Sequence, residues 1–205
     1  MTMVRARNAK KFEYLFLQPP HDDGQYAALW FGEGGNRGMY IAGYSDAAAV
    51  LLKSVRKHSA NNSIVYPLMM LLRHTIELSL KDLTQRAIDR GARVKINEKQ
   101  PLWRTHRFDY LVPYFEEGIK CLIGLPSTWA PIRSFLIDWE SADPDGIFAR
   151  YCREPGGKPV HIPKGRNISI RNLCEAGELA IDYLYGCGCE LNQWDEVQQE
   201  MREAI

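Results

Sequence analysis

The feature that most constrains the fold is the apolar segment IVYPLMMLLRHTIELSLKDLTQRAIDR, which runs from Ile64 to Arg90. Its large apolar residues recur at helical spacing, and at about 100° per residue they share one broad face. These residues are Val65, Leu68, Met69, Leu72, Ile76, Leu80 and Leu83. Gly91 follows at a position suited to a helix C-terminus. The segment therefore predicts a long helix whose apolar face lies in the core.

Segments with helical spacing also lie before and after this helix. Ser45 is the predicted N-cap of the preceding helix, which contains Ala48, Leu51, Leu52 and Val55. Helical spacing returns at Phe108, and Ser127 or Thr128 is expected to cap the helix that follows. The stretch DPDG, which begins at Asp143, predicts a turn.

The C-terminal third of the chain predicts one more long helix and a short polar one. Ser169 is the expected N-cap of the long helix, and Gly186 and Gly188 are expected to end it. A polar helix is expected after these glycines. The whole pattern predicts an all-α fold, a bundle of about five to six helices.

The first 42 residues differ from the rest. FEYLFL precedes Pro19 and Pro20, and YAALWF precedes the glycine-rich stretch GEGGNRG, which together favour strands and turns. We therefore expect an N-terminal extended arm, with a β-hairpin as one form of it, over residues 1–42. The helical bundle is expected over residues 43–205.

Composition excludes little, but it narrows the cellular setting. The net charge of +1 favours neither nucleic acid nor an anionic membrane as a partner. No apolar run approaches the roughly 20 residues that a membrane span needs. Five cysteines at irregular spacing indicate reduced thiols, so a cytoplasmic protein that does not bind membranes is expected.

The core helix carries an ionisable stripe that a core alone does not explain. Arg73, His74, Glu77 and Lys81 fall within a band about 100° wide that has apolar residues on both sides. Arg73–Glu77 and Glu77–Lys81 have i,i+4 spacing and opposite charge, so both pairs are expected to form. The stripe is either a structural ladder with a hydrogen-bonded histidine or a functional site.

Four segments of the chain resemble a known family, and the first is YSDAAAVLL, from Tyr44 to Leu52, whose small-residue spacing commonly precedes the family's second helix. YPLMMLLRHTIELSLKDL, from Tyr66 to Leu83, resembles the second-helix signature of HEPN-like bacterial proteins. RTHRFDYLVPYF resembles the start of the family's third helix, and FLIDWESADPDGIFARY resembles a segment that ends in Asp-Pro and then Arg-Tyr. The resemblance covers about residues 44–184 and implies a helical bundle that forms a homodimer.

The resemblance also implies a function. Many HEPN proteins are metal-independent ribonucleases of toxin–antitoxin or phage-defence systems, with a catalytic arginine that is separated from a histidine by four to six residues. No histidine of this chain has an arginine at that spacing. The expectation is therefore an RNA-cleaving or RNA-binding effector with a rearranged site, without a cofactor. RNA or a nucleotide, and a cognate antitoxin or other partner protein, are the implied ligands.

Candidate site residues follow from the stripe, the resemblance and the basic region between Arg150 and Arg171. The catalytic candidates are Arg73, His74, Glu77 and His106, with a histidine as base or acid and Glu77 orienting its neighbours. The candidates for substrate binding are Lys81, Arg104, Arg150 and Tyr151.

Two alternatives stay open at this point. In the first, the protein is a non-enzymatic HEPN-like module that binds a nucleotide or a partner protein, and the stripe is structural. In the second, a metal-dependent hydrolase would use the acidic residues near the predicted turn, namely Asp138, Glu140, Asp143 and Asp145. The local sequence there favours a helix end and a turn over a metal site.

Overall fold

The computed structural model describes residues 37–57, 62–151, 157 and 168–204. Within these ranges the chain forms five α-helices and no strand, which confirms the all-α bundle. The helices are α1 (Arg37–Lys57), α2 (Val65–Asp89), α3 (Phe108–Lys120), α4 (Trp129–Ala142) and α5 (Ile170–Glu203). Short 3₁₀ turns precede α2, at Asn62–Ile64, and follow α4, at Pro144–Gly146.

Helix α2 is the centre of the bundle, because α1, α3 and α5 all pack against it. Helix α4 packs against α3 and α5. The predicted apolar face of α2 lies in the core, with Leu72, Ile76 and Leu80 fully buried, and only Val65 is partly exposed. Gly91 follows the helix with a φ of 90°, as its predicted C-terminal role requires.

The predicted start of α1 at Ser45 is wrong, because the helix begins at Arg37. Residues 37–42 are therefore helical and do not belong to an arm. The glycine-rich sequence before these residues favoured a turn. Helix α1 nevertheless packs along α2 and continues through Gly43. The rest of the predicted arm, including the hairpin, lies outside the described residues.

The predicted end of the last helix is also wrong. Helix α5 passes through Gly186 and Gly188 and continues to Glu203, so the expected polar helix is part of it. Buried residues keep helical spacing on both sides of the glycines: Leu184, Cys187 and Leu191. Their burial outweighs the cost of two interior glycines, which is about 1 kcal/mol each. Ser169 caps the N-terminus as predicted, and its side chain accepts from Asn172 N.

Two glycines of α5 predict opposite effects of the same substitution. A Cβ at Gly177 would lie 2.9 Å from Leu72 Cδ1, and Leu72 is fully buried. We expect Gly177→Ala to lower the free energy of unfolding by about 1–3 kcal/mol through overpacking. Gly186 has no atom within 4 Å of that position, so Gly186→Ala should raise it by about 0.5–1 kcal/mol. Urea denaturation measures both, and a gain of stability in both variants would contradict the close crossing of α2 and α5.

None of the helices in the described ranges is both long enough and apolar enough to cross a membrane.

Candidate functional site

The charged stripe of α2 is buried. Arg73, Glu77 and Lys81 are only 4%, 4% and 3% exposed, although each carries a full charge in its usual state. Buried charges are costly unless they are paired and hydrogen-bonded. Each of these side chains therefore needs a partner, and the partners come from α2 itself, from α4 and from the loop before α3.

Arg73 pairs with Glu140 of α4 and not with Glu77, so the predicted i,i+4 pair does not form. Its Nη2 donates to Glu140 Oε2 at 2.8 Å and to the carbonyl oxygen of His106 at 3.1 Å. The guanidinium also lies over the ring of Phe108, 4.3 Å from the centroid. The same Glu140 oxygen accepts from Phe108 N at 2.9 Å. The pair thus joins α2, α3 and α4.

The other side of Arg73 faces the 3₁₀ turn that follows α4. Its Nε and Nη1 are buried and have no hydrogen-bond partner in the described part of the chain. A Cβ at Gly146 would lie 2.5 Å from Nε, and Gly146 has a φ of 64°. Only glycine allows the backbone to pass so close in this conformation. Gly146 therefore covers the guanidinium of Arg73.

Glu77 is the centre of a second group of hydrogen bonds. Its Oε1 accepts from Lys81 Nζ at 2.7 Å, as predicted, and lies 2.8 Å from His106 Nδ1. Burial alone raises the pKa of Glu77, but the charge and hydrogen bonds of Lys81 and His106 outweigh it. The net pKa of Glu77 is below its ordinary value, so the carboxylate is ionised at neutral pH.

His106 extends this group to the surface, because its side chain is 50% exposed. An ionised carboxylate can only accept hydrogen bonds, so Nδ1 carries the hydrogen that faces Glu77. The pairing fixes the orientation of the ring and leaves Nε2 as the atom that can exchange a proton with a ligand. Glu77 and His106 form a carboxylate–imidazole pair, which is a common arrangement for proton transfer.

His74, the second histidine, is half-buried beside Tyr44 of α1. The two rings meet edge to face, with centroids 4.5 Å apart. Burial lowers the pKa of His74, and the positive charges of Arg150, Lys81 and His106 lower it further, against the opposing effect of Glu77. His74 is therefore a neutral imidazole at neutral pH.

A small cavity of about 190 Å³ brings several of these groups together. Its lining residues are Tyr44, Met70, Arg73, His74, Glu77, Gly146 and Arg150. Arg150 is exposed, and its Nε donates to the carbonyl oxygen of Gly146 at 2.7 Å, which holds the guanidinium beside the cavity. Four of the predicted site residues thus converge here, and His106 joins them through Glu77.

The remaining predicted residues lie elsewhere. Lys81 is buried and bound to Glu77, so it cannot make the predicted contact with substrate and instead stabilises the carboxylate. Arg104 is exposed in the loop before α3 and does not line the cavity. Tyr151 is also exposed and outside the lining, with its ring 6.0 Å from the guanidinium carbon of Arg150.

Among the acidic residues considered for a metal site, the three whose side chains are described, Asp138, Glu140 and Asp143, form no metal-binding group. Glu140 accepts from Arg73, while Asp143 Oδ1 accepts from Phe148 N at 2.8 Å. Asp138 lines a different, apolar cavity between α4 and α5. Across the residues that can be described, no group of three or more metal-ligating side chains occurs. The side chain of Asp145 is outside those residues.

Tyr44 and Gly146, two residues that shape this site, were not predicted, and Glu140 was considered only as a ligand in the less favoured metal site. A signal for Glu140 was present, because it follows Leu136 by four residues and so lies on the apolar face of α4. A carboxylate on a buried face indicates a cationic partner. No comparable signal marks Tyr44 or Gly146, since their roles depend on contacts between distant segments.

No protein-family model, curated protein or solved structure matches this chain. The resemblance to HEPN-like proteins therefore stays a prediction that rests on the residues from Tyr66 to Leu83 and the weaker segments around them. What is known of the site comes from its own geometry: two histidines and an exposed arginine around a buried, ionised carboxylate.

Proposed function

We propose that the protein is a HEPN-like bacterial effector that binds RNA and cleaves it with histidines as acid and base. The observation that carries the proposal is the convergence of His74, His106 and Arg150 around Glu77. Cleavage of RNA at its 2′-hydroxyl needs a base, an acid and a cation for the phosphate. All three kinds of group are present within one small region of the bundle surface.

Each histidine has one proposed role. His74, which is neutral at neutral pH, accepts the proton of the 2′-hydroxyl. The 2′-oxygen bonds to phosphorus, and the bond from phosphorus to the 5′-oxygen breaks. His106, whose ring is oriented by Glu77, gives a proton from Nε2 to that leaving oxygen. The products are a 2′,3′-cyclic phosphate and a 5′-hydroxyl end, so protons and bonds balance without water.

The two arginines have different roles in this proposal. Arg150 is exposed and lines the cavity, so it is the residue that contacts the phosphate. Arg73 is held by Glu140 and the carbonyl oxygen of His106, and it supplies a fixed positive charge at the buried side of the cavity. Arg73 is therefore a positioning residue that does not touch the phosphate, although the sequence placed it among the catalytic candidates.

The first test is cleavage of tRNA and total RNA by the purified protein in the presence of EDTA. We expect His106→Ala to lower the rate constant for cleavage by roughly 10²- to 10⁴-fold, because the general acid is lost. Arg133→Ala is the matched control, since Arg133 is an exposed arginine of α4 that pairs with Glu116 outside the cavity. Its rate should equal that of the wild type.

The pH profile gives an independent readout of the same proposal. The pKa of His74 is below its ordinary value of 6.5, so the rate should stay high as pH falls through 6.5 and decline only below it. Arg150 lowers the pKa of His74, so Arg150→Gln should move this decline to higher pH and weaken RNA binding. Absence of cleavage by the wild type, together with absence of salt-sensitive RNA retention, would overturn the proposal.

A second candidate is a non-enzymatic module that binds a nucleotide or a partner protein. It is favoured by the burial of the Arg73–Glu140 and Glu77–Lys81 pairs, which makes much of the stripe structural. Salt-sensitive RNA retention without cleavage, unchanged by His106→Ala, would support it. In both cases we propose a homodimer on the basis of the resemblance, and a monomeric mass by native mass spectrometry would contradict that part.

A further inference from the structure

A second cavity, of about 210 Å³, adjoins the first. Its lining residues are Arg37, Tyr40, Ile41, Tyr44, His74, Leu78 and Trp103. Tyr44 and His74 line both cavities, so their edge-to-face contact forms a shared wall. A ligand whose charged group lies by Arg150 and His74 therefore has a second space directly beside it.

The second cavity has aromatic side chains that the core does not use. Tyr40 of α1 is 61% exposed and Trp103, in the loop before α3, is 45% exposed. Large aromatic residues in a cleft are typical of ligand sites, where their faces cover flat groups. The two residues come from segments more than 60 positions apart, so the pairing is a product of the fold.

The aromatic lining is also held in place. Trp103 Nε1 donates to Gln85 Oε1 of α2 at 3.1 Å, which fixes the plane of the indole. The guanidinium carbon of Arg37 lies 5.4 Å from the centroid of the same ring, and Arg37 Nε lies 3.2 Å from Asp82 Oδ1. A preorganised aromatic surface loses little conformational entropy when a ligand binds.

The sizes of the cavities suit a nucleotide. Pockets for small ligands span roughly 300–1,000 Å³, and neither cavity reaches that range alone. The first, of about 190 Å³, is lined by Arg150 and His74, and the second, of about 210 Å³, is lined by Tyr40, Trp103 and also Arg37. Taken together they place a space lined by Arg150 and His74 beside a space lined by Tyr40 and Trp103.

We infer that the second cavity is a base-stacking subsite for the ribonucleotide whose phosphate lies at Arg150 and His74. The base would stack on the exposed faces of Tyr40 and Trp103, as unpaired RNA bases do on aromatic side chains. Stacking tolerates any base, so the subsite favours single-stranded RNA without strong sequence preference. This inference rests on the proposed function, because it assumes a phosphate beside His74.

The test compares adenosine 5′-monophosphate with ribose 5-phosphate, which lacks the base, by calorimetric titration of the full chain. We expect the wild type to bind the nucleotide about 5-fold to 150-fold more tightly, which is the usual contribution of one stacked base. Trp103→Ala should remove this difference and leave ribose 5-phosphate binding unchanged. Trp103→Phe should keep most of the difference in affinity, and Arg150→Gln should weaken the binding of both ligands.

Trp194→Ala is the matched control, because Trp194 is a partly exposed tryptophan of α5 that lines neither cavity. Both ligands should bind it as they bind the wild type. Equal affinity of the wild type for the two ligands, or no nucleotide binding at millimolar concentration, would overturn the subsite. Nucleotide discrimination that depends on Trp103, in a protein that cleaves no RNA, would support the subsite and overturn the catalytic proposal alone.

Discussion

Glu140→Ala is expected to lower the free energy of unfolding by about 3–5 kcal/mol. The substitution leaves Arg73, which is 4% exposed, without its carboxylate partner in the interior. It also removes the acceptor for Phe108 N, so a backbone N–H is left unsatisfied at the start of α3. Urea denaturation followed by circular dichroism measures the loss.

Two further variants make this experiment specific. Asp138→Ala changes an exposed carboxylate of the same helix and should alter the free energy of unfolding by less than about 0.5 kcal/mol. The double variant Arg73→Met/Glu140→Leu removes both charges and should be more stable than either single variant, because neither charge is left unpaired. A loss below about 1 kcal/mol in Glu140→Ala would contradict a buried ion pair at this position.

Glu77→Ala is expected to have a loss of similar size, about 3–5 kcal/mol at neutral pH, because Lys81 is only 3% exposed and loses its partner. The difference in the free energy of unfolding between the wild type and Glu77→Ala should depend on pH. The pKa of Glu77 is lowered in the folded protein, so its carboxylate adds stability above the ordinary pKa of 4.5. That contribution is lost as pH falls through the lowered pKa, so the wild type and the variant should converge in acid.

Thermal unfolding of both proteins between neutral pH and about pH 3 measures this convergence. Glu77→Gln is the matched control: it keeps the shape of the side chain and can still accept from His106, but it lacks the charge that Lys81 needs. We expect its stability at neutral pH to lie between those of the wild type and Glu77→Ala. A stability difference that stays constant down to pH 3 would show that folding does not lower the pKa of Glu77.

Sequence reasoning identified the core helix and the charged stripe because both depend on spacing within one segment. The helical spacing of α2 places Arg73, His74, Glu77 and Lys81 in one band, and three of these residues are buried together. Helical spacing alone could not identify the partner of Arg73, because Glu140 is 67 residues away in the sequence. The two side chains meet only because α4 packs into the bundle. An i,i+4 pair is local, but its formation depends on what covers the helix.

The wrong helix ends have the same physical origin. Glycine lowers helix propensity by about 1 kcal/mol, which is a weak preference that packing can override. Gly186 and Gly188 lie within a helix whose buried face continues to Leu191, and Gly43 lies within a helix that packs along α2. Caps and glycines predict helix ends correctly where no neighbouring helix packs against the segment. They fail where packing against a neighbouring helix stabilises further turns.

Gly146 links substitutions in the turn after α4 to the stability of the buried ion pair. Its backbone covers the buried guanidinium of Arg73, and its carbonyl oxygen accepts from the exposed Arg150. One residue without a side chain thus joins the interior of the bundle to the cavity surface. A change that adjusts the turn for a new ligand also disturbs the buried ion pair. Diversification of the site is therefore expected to require compensating changes in the core, so altered specificity and retained stability must arise together.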